Sequence, residues 1–229
     1  MNNQGKKNIK GNCNNLNRNR GNVVKKIIEH PLVQRDVTQL RNKNTNSEDF
    51  RRLAKRASTI AGVEVLSGLE ICLEEVVTPL GPFSGIKISK PFPYFVSIMR
   101  AGSIMTDALH DLYPEASIGH IGLSRNHDTL EPSQYYLNLS DDLSELMVVI
   151  CDPMLATAGS AIHSINLLKQ KHASNIIFFS LLASKYGVER LSKAHPDIKI
   201  FTCAMDEELN EHGYILPGLG DAGDRLFNT

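Results

Sequence analysis

VVICDPMLATAGS, residues 148–160, is the stretch on which the expected fold and the expected site both depend. It begins within the short apolar run 147–151, which is typical of a strand buried inside a parallel sheet. The run ends directly at Asp152, and the small residues 156–160 follow before an apolar pattern with helical spacing begins. This order predicts a strand, an acid, a tight loop and a helix.

A loop of this composition is suited to binding phosphate. Small side chains let backbone N–H groups approach an anion, and the N-terminus of the next helix adds partial positive charge. The hydroxyls of Thr157 and Ser160 can donate to phosphate oxygens, while Asp152 can hold sugar hydroxyls or join the shell of a metal ion. The alternative interpretation is an ordinary strand-to-helix turn in which Ser160 is the N-cap.

The second half of the chain alternates between strand and helix patterns. Predicted strands lie at 94–99, 117–123, 147–151, 175–183 and 198–204, and predicted helices lie at 104–112, 160–171 and 188–193. Such alternation predicts an α/β fold with a mostly parallel sheet covered by helices on both faces. Ligands of these folds bind outside the carboxyl ends of the strands, which places Arg100, Arg125 and Asp152 at one edge.

The first half is less regular. Residues 47–66 have helical spacing behind a cap at Asn46 or Ser47, with acids in the first turn. We expect an extended entry at 30–32, an edge strand at 71–77 and a Gly- and Pro-rich connection at 81–93. The polar segment 41–45 is interpreted as a solvated loop, with an effector or subunit contact as the alternative.

Composition excludes several classes of protein. The 25 basic and 25 acidic residues balance, which argues against a dedicated nucleic-acid binder. The four cysteines form no CxxC pair, so we expect buried free thiols in a reducing cytoplasm rather than disulfides or a zinc site. No apolar run approaches the roughly 18–20 residues that a membrane span requires.

Residues 1–26 differ from the rest of the chain. Asparagine and basic residues dominate there, and the first acid of the chain is Glu29. We expect a disordered extension without a chemical role, followed by a single domain over 27–229. A targeting peptide is the alternative, but the segment lacks the Ser-rich amphipathic pattern of such peptides.

Two further segments carry candidate site residues. Arg100, followed by Ala101 and Gly102, combines a guanidinium with accessible backbone amides, which suits a diphosphate; a simple strand-end arginine is the alternative. Arg125 lies in the polar stretch 124–134, a candidate lid or else an exposed hairpin. The tail 213–225, GYILPGLGDAGDR, can present backbone N–H and C=O groups to a planar base, or can be a surface loop.

Together these segments closely resemble the uracil phosphoribosyltransferase family over residues 29–229. The matching words are HPLV at 30–33, RNKNT at 41–45, FRRLA at 50–54, RAG at 100–102, DPMLAT at 152–157 and LNEHGYILPGLGDAGDRLF at 209–227. The resemblance implies a type I phosphoribosyltransferase fold with a lid hairpin and a base-binding hood built from the termini. It also implies transfer of 5-phosphoribose from phosphoribosyl diphosphate to uracil with Mg²⁺, giving UMP and diphosphate in pyrimidine salvage.

The resemblance also implies roles for individual residues. Arg100, Asp152 and Asp221 are the implied catalytic residues, and Mg²⁺ accompanies the diphosphate without an assigned protein ligand. The implied phosphoribosyl diphosphate contacts are Arg100, Arg125, Asp152, Pro153, Met154, Leu155, Ala156, Thr157, Ala158, Gly159, Ser160 and Asp221. The implied uracil contacts are Ile215, Gly220, Asp221 and Ala222. A homodimer or higher homo-oligomer in the cytoplasm is implied as well, and GTP is an effector of some relatives.

The chain departs from the family pattern near the site. Ala158 replaces a glycine, and its methyl group would crowd the phosphate or demand a negative φ. Ser97, Ser103, Ile104 and Ser124 are further departures, with Ile104 adding bulk next to the Arg100 loop. They motivate an alternative function, a catalytically silent homologue that senses a ligand or regulates. An RNA-binding regulator is a third hypothesis, which the zero net charge disfavours.

Overall fold

The computed structural model describes residues 25–125 and 132–229, and the elements there follow one another in alternating strands and helices. In chain order they are β1 (Lys25–Ile27), α1 (Pro31–Arg41), α2 (Ser47–Val65), β2 (Ile71–Thr78), β3 (Gly81–Ile88), β4 (Phe92–Met99), α3 (Ser103–Leu112), β5 (Ser117–Arg125), β6 (Pro132–Asn138), β7 (Leu146–Cys151), β8 (Met154–Leu155), α4 (Gly159–Gln170), β9 (Asn175–Ser184), α5 (Lys185–Ala194), β10 (Lys199–Asp206), β11 (Glu208–Leu209), β12 (Ile215–Leu216) and α6 (Ala222–Phe227).

The central sheet confirms the predicted α/β architecture. Its strand order is β1-β10-β9-β7-β4-β5-β6, with the short β8 also paired to β9. All neighbours run parallel except β5 and β6, which form an antiparallel hairpin. Strand β9 is buried at every residue after Asn175, because helices cover a parallel sheet on both faces.

Two hydrophobic cores separate the sheet from its helices. On one face α1, α2 and α3 contribute side chains such as Val37, Phe50 and Met105. On the other face α4 and α5 contribute side chains such as Ile165 and Leu191. The parallel strands therefore lie between two helical layers, and their carboxyl ends open at one edge.

The N-terminal helices differ from the expectation at their start. Residues 30–32 are not an extended entry, because Pro31 begins α1 at a position where a helix needs no N–H donor. The predicted cap of α2 is Asn46, whose side chain accepts from the Asp49 N–H at 2.8 Å. Lys25 and Lys26, assigned above to the extension, belong to β1, whereas residues 1–24 lie outside the described residues.

The segment 81–93 is also not a simple connection. Its first part is β3, which pairs with β2 in a separate two-stranded sheet, and its last two residues begin β4. Pro82 is compatible with β3 because a two-stranded ribbon consists only of edge strands. The strand predicted at 71–77 therefore exists, but it belongs to this ribbon and not to the central sheet.

The tail 213–225 contains regular structure that its glycines did not suggest. Ile215 and Leu216 pair with β11, and α6 begins at Ala222 behind Asp221, whose side chain accepts from the Asp224 N–H at 3.0 Å.

Within residues 25–125 and 132–229, none of the helices has the length and apolar character needed to cross a bilayer.

Candidate functional site

An open cleft of about 890 Å³ lies at the carboxyl ends of the parallel strands. The loop after β4, the loop after β7 and the C-terminal tail meet there. Its lining comprises Ile98, Met99, Arg100, Ala101, Leu123, Ser124, Asp152, Met154, Leu155, Ala156, Thr157, Ala158, Gly159, Ser160, Ala161, Glu211, His212, Gly213, Tyr214, Ile215, Gly220, Asp221, Ala222 and Gly223. The segments singled out in the sequence thus converge on one cavity.

The loop 152–160 forms one wall of the cleft. The Asp152 N–H donates to the Phe179 carbonyl at 3.2 Å, and Asp152 Oδ1 accepts from the Met154 N–H at 3.2 Å. These bonds turn the chain sharply as it leaves β7. Pro153 is buried, and its carbonyl accepts from the N–H groups of Leu181 and Leu182. Pro153 therefore anchors the loop from below, while the other eight predicted residues line the cleft.

Ala158, and not Ser160, is the residue that precedes α4. It adopts a left-handed conformation with φ 63° and ψ 5°, and no side chain caps the helix. The expectation that the methyl group demands a negative φ is therefore wrong. Ala158 is 4% exposed and counts among the buried residues beneath α4, so this core accommodates the methyl group at a position that favours glycine.

Helix α5 supports the same loop from behind. Ser184 Oγ donates to the Ala156 carbonyl at 2.6 Å and accepts from the Gly187 N–H. A Cβ atom on Gly187 would lie 2.3 Å from the Ala156 carbonyl oxygen, so only glycine permits this approach. Arg190 donates to the Thr157 carbonyl at 2.8 Å. No pattern in the sequence indicates these roles.

Arg100 also lines the cleft. It follows β4 after a cis Met99–Arg100 peptide bond, and its side chain is 55% exposed. One guanidinium nitrogen lies 3.9 Å from Asp224 Oδ1, and the guanidinium carbon lies 5.4 Å from the centre of the Phe227 ring. Gly102 is required here, because a Cβ atom would lie 2.3 Å from the Cys151 carbonyl oxygen. Arg100 is thereby positioned between the sheet edge and α6.

The predicted base-binding residues form a compact loop at the other end of the cleft. Ile215 and Ala222 are buried, and Gly220 has a φ of 81°. Gly218, with a φ of 64°, could not carry a Cβ atom, which would lie 2.1 Å from the Ile215 carbonyl oxygen. Backbone groups consequently form much of the wall, since few side chains project from this loop.

The N-terminal helices hold this tail in place, while the base-binding role of a hood built from the two termini stays a prediction. Arg225 donates to the carbonyls of Leu219, Leu40 and Asn42, and its guanidinium stacks on the Phe50 ring at 4.3 Å. Burial lowers the pKa of Arg225. Sequence reasoning missed this contact, although an arginine within a glycine-rich loop was an available signal.

Residues of β5 and of the start of the C-terminal tail also line the cleft. Leu123 and Ser124 reach the cleft from β5, whereas the Arg125 side chain and residues 126–131 of the candidate lid lie outside the described part of the chain. The cleft is also lined by Tyr214, His212 and Glu211, none of which was a predicted site residue. His212 Nε2 lies 3.4 Å from Glu211 Oε1. The lid function stays a prediction.

The departures from the family pattern are accommodated within the fold. Ile104 packs against the α2–α3 core rather than lining the cleft. Ser97 is fully buried in β4, and its hydroxyl is 2.7 Å from His120 Nδ1 on β5. Ser103 Oγ donates to the Arg100 carbonyl at 2.8 Å, and the Ser124 hydroxyl donates to the Ser133 carbonyl at 3.3 Å. These contacts give the smaller polar side chains structural partners.

The cleft offers oxygen donors that suit a magnesium–diphosphate complex. In residues 25–125 and 132–229 no group of three or more His, Cys, Asp or Glu side chains forms a metal cage. Mg²⁺ commonly retains several waters and binds through one or two carboxylates together with substrate phosphates. Asp152 and Asp221, which both line the cleft, fit that donor set.

Comparison with known proteins gives one consistent family. The family described as uracil phosphoribosyltransferase matches residues 27–229. Uracil phosphoribosyltransferases of Brucella ovis and Dictyoglomus thermophilum are each 46% identical over 203 residues, which cover 89% of this chain and 98% of the relative.

Solved structures give the same picture of the fold. The AQ2163 protein of Aquifex aeolicus is 33% identical and has a TM-score of 0.83, covering 89% of this chain and 97% of its own. An adenine phosphoribosyltransferase of Trypanosoma brucei, solved with AMP, pyrophosphate and ribose-5-phosphate, is 10% identical and has a TM-score of 0.54. The match covers 79% of this chain and 83% of that chain. This more distant likeness concerns the fold alone.

Proposed function

The chain belongs to the uracil phosphoribosyltransferase family, and we propose that its cleft transfers 5-phosphoribose from phosphoribosyl diphosphate to N1 of uracil. The products are UMP and diphosphate, so the enzyme salvages a free pyrimidine base. One observation carries the proposal: the acid-bearing loop 152–160 and the glycine-rich loop 213–222 line the same cleft. The first loop suits a phosphorylated sugar, and the second suits a flat base.

The loop 152–160 binds the ribose-5-phosphate part of the first substrate. Its small residues leave backbone N–H groups accessible, and Thr157 and Ser160 add hydroxyl donors next to the start of α4. Asp152 lies at the end of β7 and is only partly buried, so its carboxylate can accept hydrogen bonds from the ribose hydroxyls. Arg100 and Arg125 bind the diphosphate.

The loop 213–222 recognises uracil through its backbone. Uracil presents an acceptor, a donor and a second acceptor in a row, and backbone N–H and C=O groups can match that order. Ile215, Gly220 and Ala222 supply these groups, and two cavity-lining glycines with positive φ bend the chain around the base. Asp221 lies between the base side and the phosphoribosyl side of the cleft.

The chemistry requires alignment more than a protein nucleophile. As the bond between ribose and diphosphate breaks, positive charge develops on the sugar and negative charge gathers on the leaving group. A site that holds both substrates in line and stabilises these charges supplies most of the acceleration. Arg100 neutralises part of the charge on the diphosphate, and bound Mg²⁺ would neutralise more of it.

The β2–β3 ribbon supports a homo-oligomer. Its exposed hydrophobic side chains are Leu73, Val76, Val77, Leu80, Phe83 and Ile86. A two-stranded ribbon with so much exposed apolar surface is marginally stable alone, and a second copy of the chain would cover it. Sedimentation of wild type and of Leu80→Ser/Phe83→Ser tests this: the double variant should dissociate, and an unchanged mass would contradict the assignment.

Two finer expectations also belong to this proposal. The buried thiols of Cys151 and Cys203, which form no disulfide bond, support a reducing compartment such as the cytoplasm. GTP activation is a property of some family members and is proposed for this protein on that basis. Measuring the rate of UMP formation with and without GTP tests it, and an unchanged rate would contradict it.

A radiochemical assay tests the function directly. Purified protein, labelled uracil, phosphoribosyl diphosphate and Mg²⁺ should yield labelled UMP, whereas cytosine or hypoxanthine in place of uracil should yield little nucleotide. If phosphoribosyl diphosphate binds in calorimetry but no UMP forms, the catalytically silent alternative is correct and the proposed activity is not.

A further inference from the structure

Arg41 and Asp206 form a bidentate ion pair beneath the base-recognising loop. Arg41 Nη1 lies 2.7 Å from Asp206 Oδ2, and Arg41 Nη2 lies 2.7 Å from Asp206 Oδ1. The two side chains are 25% and 9% exposed, so the pair is largely removed from solvent. Arg41 ends α1 and Asp206 ends β10, and the pair therefore joins the N-terminal helices to the sheet.

Both members of the pair also bind the backbone of Gly218. Asp206 Oδ2 accepts from the Gly218 N–H at 3.0 Å, and Arg41 Nη1 donates to the Gly218 carbonyl at 3.0 Å. A single ion pair therefore binds both the N–H and the C=O of Gly218. Gly218 lies between Ile215 and Gly220, two of the backbone positions assigned to uracil.

We propose that Arg41 and Asp206 are positioning residues that determine uracil affinity by fixing the loop 215–220. This inference rests on the proposed function, because it assumes that the loop recognises the base. In the described part of the chain neither side chain lines the cleft, so both act through Gly218 and not by touching uracil. Their role is to hold backbone donors and acceptors in the spacing that uracil requires.

A charged, bidentate pair suits this task. Charge-assisted hydrogen bonds in a fork geometry restrict both distance and direction, and exclusion of water strengthens them. Gly218 and Gly220 both have positive φ, and glycine permits a wide range of backbone conformations, so a pair that binds both backbone groups of Gly218 would restrict this range. Small displacements of groups that align a substrate reduce activity strongly.

The experiment compares two arginine-to-lysine variants. Arg41→Lys retains the charge but loses the fork. The matched control is Arg56→Lys: Arg56 also makes a bidentate pair, with the fully buried Asp36, but that pair joins α1 to α2 and does not bind Gly218. We expect Arg41→Lys to raise the KM for uracil on the order of 10-fold, with the KM for phosphoribosyl diphosphate nearly unchanged. Arg56→Lys should lower stability while leaving both KM values near wild type.

A second variant protects the test against poor folding. Asp206→Asn keeps the shape of the side chain but removes its charge, and it should give the same selective rise in the KM for uracil. KM does not depend on the fraction of the sample that is folded, so the KM for uracil can be compared even for a destabilised variant. If Arg41→Lys changes the two KM values equally, or if Arg56→Lys matches its effect on uracil, the positioning role is wrong.

The assays distinguish failure of the positioning role from failure of the proposed activity. The wild-type protein is assayed first, and an absence of UMP there would refute the activity itself. If the wild-type protein makes UMP while Arg41→Lys and Asp206→Asn keep the wild-type KM for uracil, only the positioning role is overturned.

Discussion

Arg190 donates a hydrogen bond to the main-chain carbonyl of Thr157 over 2.8 Å, although the arginine lies on α5 and the threonine lies in the cleft. The bond joins the back of the loop 152–160 to a helix that does not line the cavity. Ser184 donates to the neighbouring carbonyl of Ala156, and Gly187 lies close to the same oxygen, so both carbonyls are held by residues of the β9–α5 segment. In the proposed function, phosphate then binds to the amide groups of this loop.

Arg190→Ala should weaken binding of phosphoribosyl diphosphate. Loss of one exposed hydrogen bond corresponds to about 1 kcal/mol, so we expect the KM for this substrate to rise about five-fold. Lys193→Ala, which removes an exposed cation from the same helix, is the control and should change neither KM. Steady-state kinetics with each substrate varied in turn checks this, and equal effects of the two variants would contradict the role of Arg190.

Ala158→Gly should leave the stability of the protein nearly unchanged. The left-handed conformation disfavours alanine by about 1–2 kcal/mol, and glycine relieves this strain. Loss of a buried methyl group, about 0.8 kcal/mol, offsets part of the gain. We expect the free energy of unfolding to stay within about 1 kcal/mol of wild type, with UMP formation retained.

Ala161→Gly is the matched control for that substitution. Ala161 is equally buried but lies inside α4 with ordinary helical geometry. Glycine there should destabilise the protein by about 2 kcal/mol, from helix propensity together with the lost methyl group. Urea denaturation of both variants checks the difference. Equal destabilisation would show that the positive φ of Ala158 carries no strain.

Asp221 combines a cap with a place in the cleft, and two substitutions separate these roles. Asp221→Asn retains an oxygen that accepts from the Asp224 N–H, so stability should hold while turnover falls. Asp221→Ala should lose turnover and also about 1 kcal/mol of stability. Thermal unfolding and UMP formation are measured for both. Full turnover in Asp221→Asn would show that the residue is only a helix cap.

The thiols of the central sheet should resist alkylation in the native protein. Burial raises the pKa of the Cys203 thiol to about 12, and burial together with the neighbouring Asp152 charge raises the pKa of Cys151 as well. At pH 8 both thiols are therefore protonated and unreactive. Iodoacetamide labelling with peptide mass spectrometry should modify them only after denaturation. Modification of Cys151 in the native state at its denatured rate would contradict this.

The sheet and the loop 152–160 were predictable because their local sequence pattern agrees with their tertiary environment. The run 147–151 is continuously apolar since β7 is covered on both faces, and Asp152 lies at the edge because the strand ends there. The same pattern marked β4, β5, β9 and β10 within a few residues. Because neighbouring strands of a parallel sheet end at the same edge, the sequence alone predicts that Arg100 and Asp152 lie near each other.

Other parts depend on contacts that are distant in sequence. Arg41 was interpreted as part of a solvated loop, yet its partner Asp206 lies 165 residues away. The ribbon strand β3 was missed because its glycines and proline resemble a connection, whereas cross-strand pairing with β2 organises it. Ala158 adopts a glycine conformation that its side chain alone argued against. In each case a tertiary interaction outweighs the local preference.

The central claim is that the carboxylate at the end of β7 acts on the bound phosphoribosyl group. Asp152→Asn tests it most directly, since the amide keeps one oxygen for the Met154 N–H while it removes the charge and replaces the second oxygen by an NH2 group. The measurement is the turnover of labelled uracil to UMP at saturating substrates, with the free energy of unfolding determined on the same samples. We predict that turnover falls about 100-fold while stability changes by less than about 1 kcal/mol. Wild-type turnover in Asp152→Asn would contradict the account.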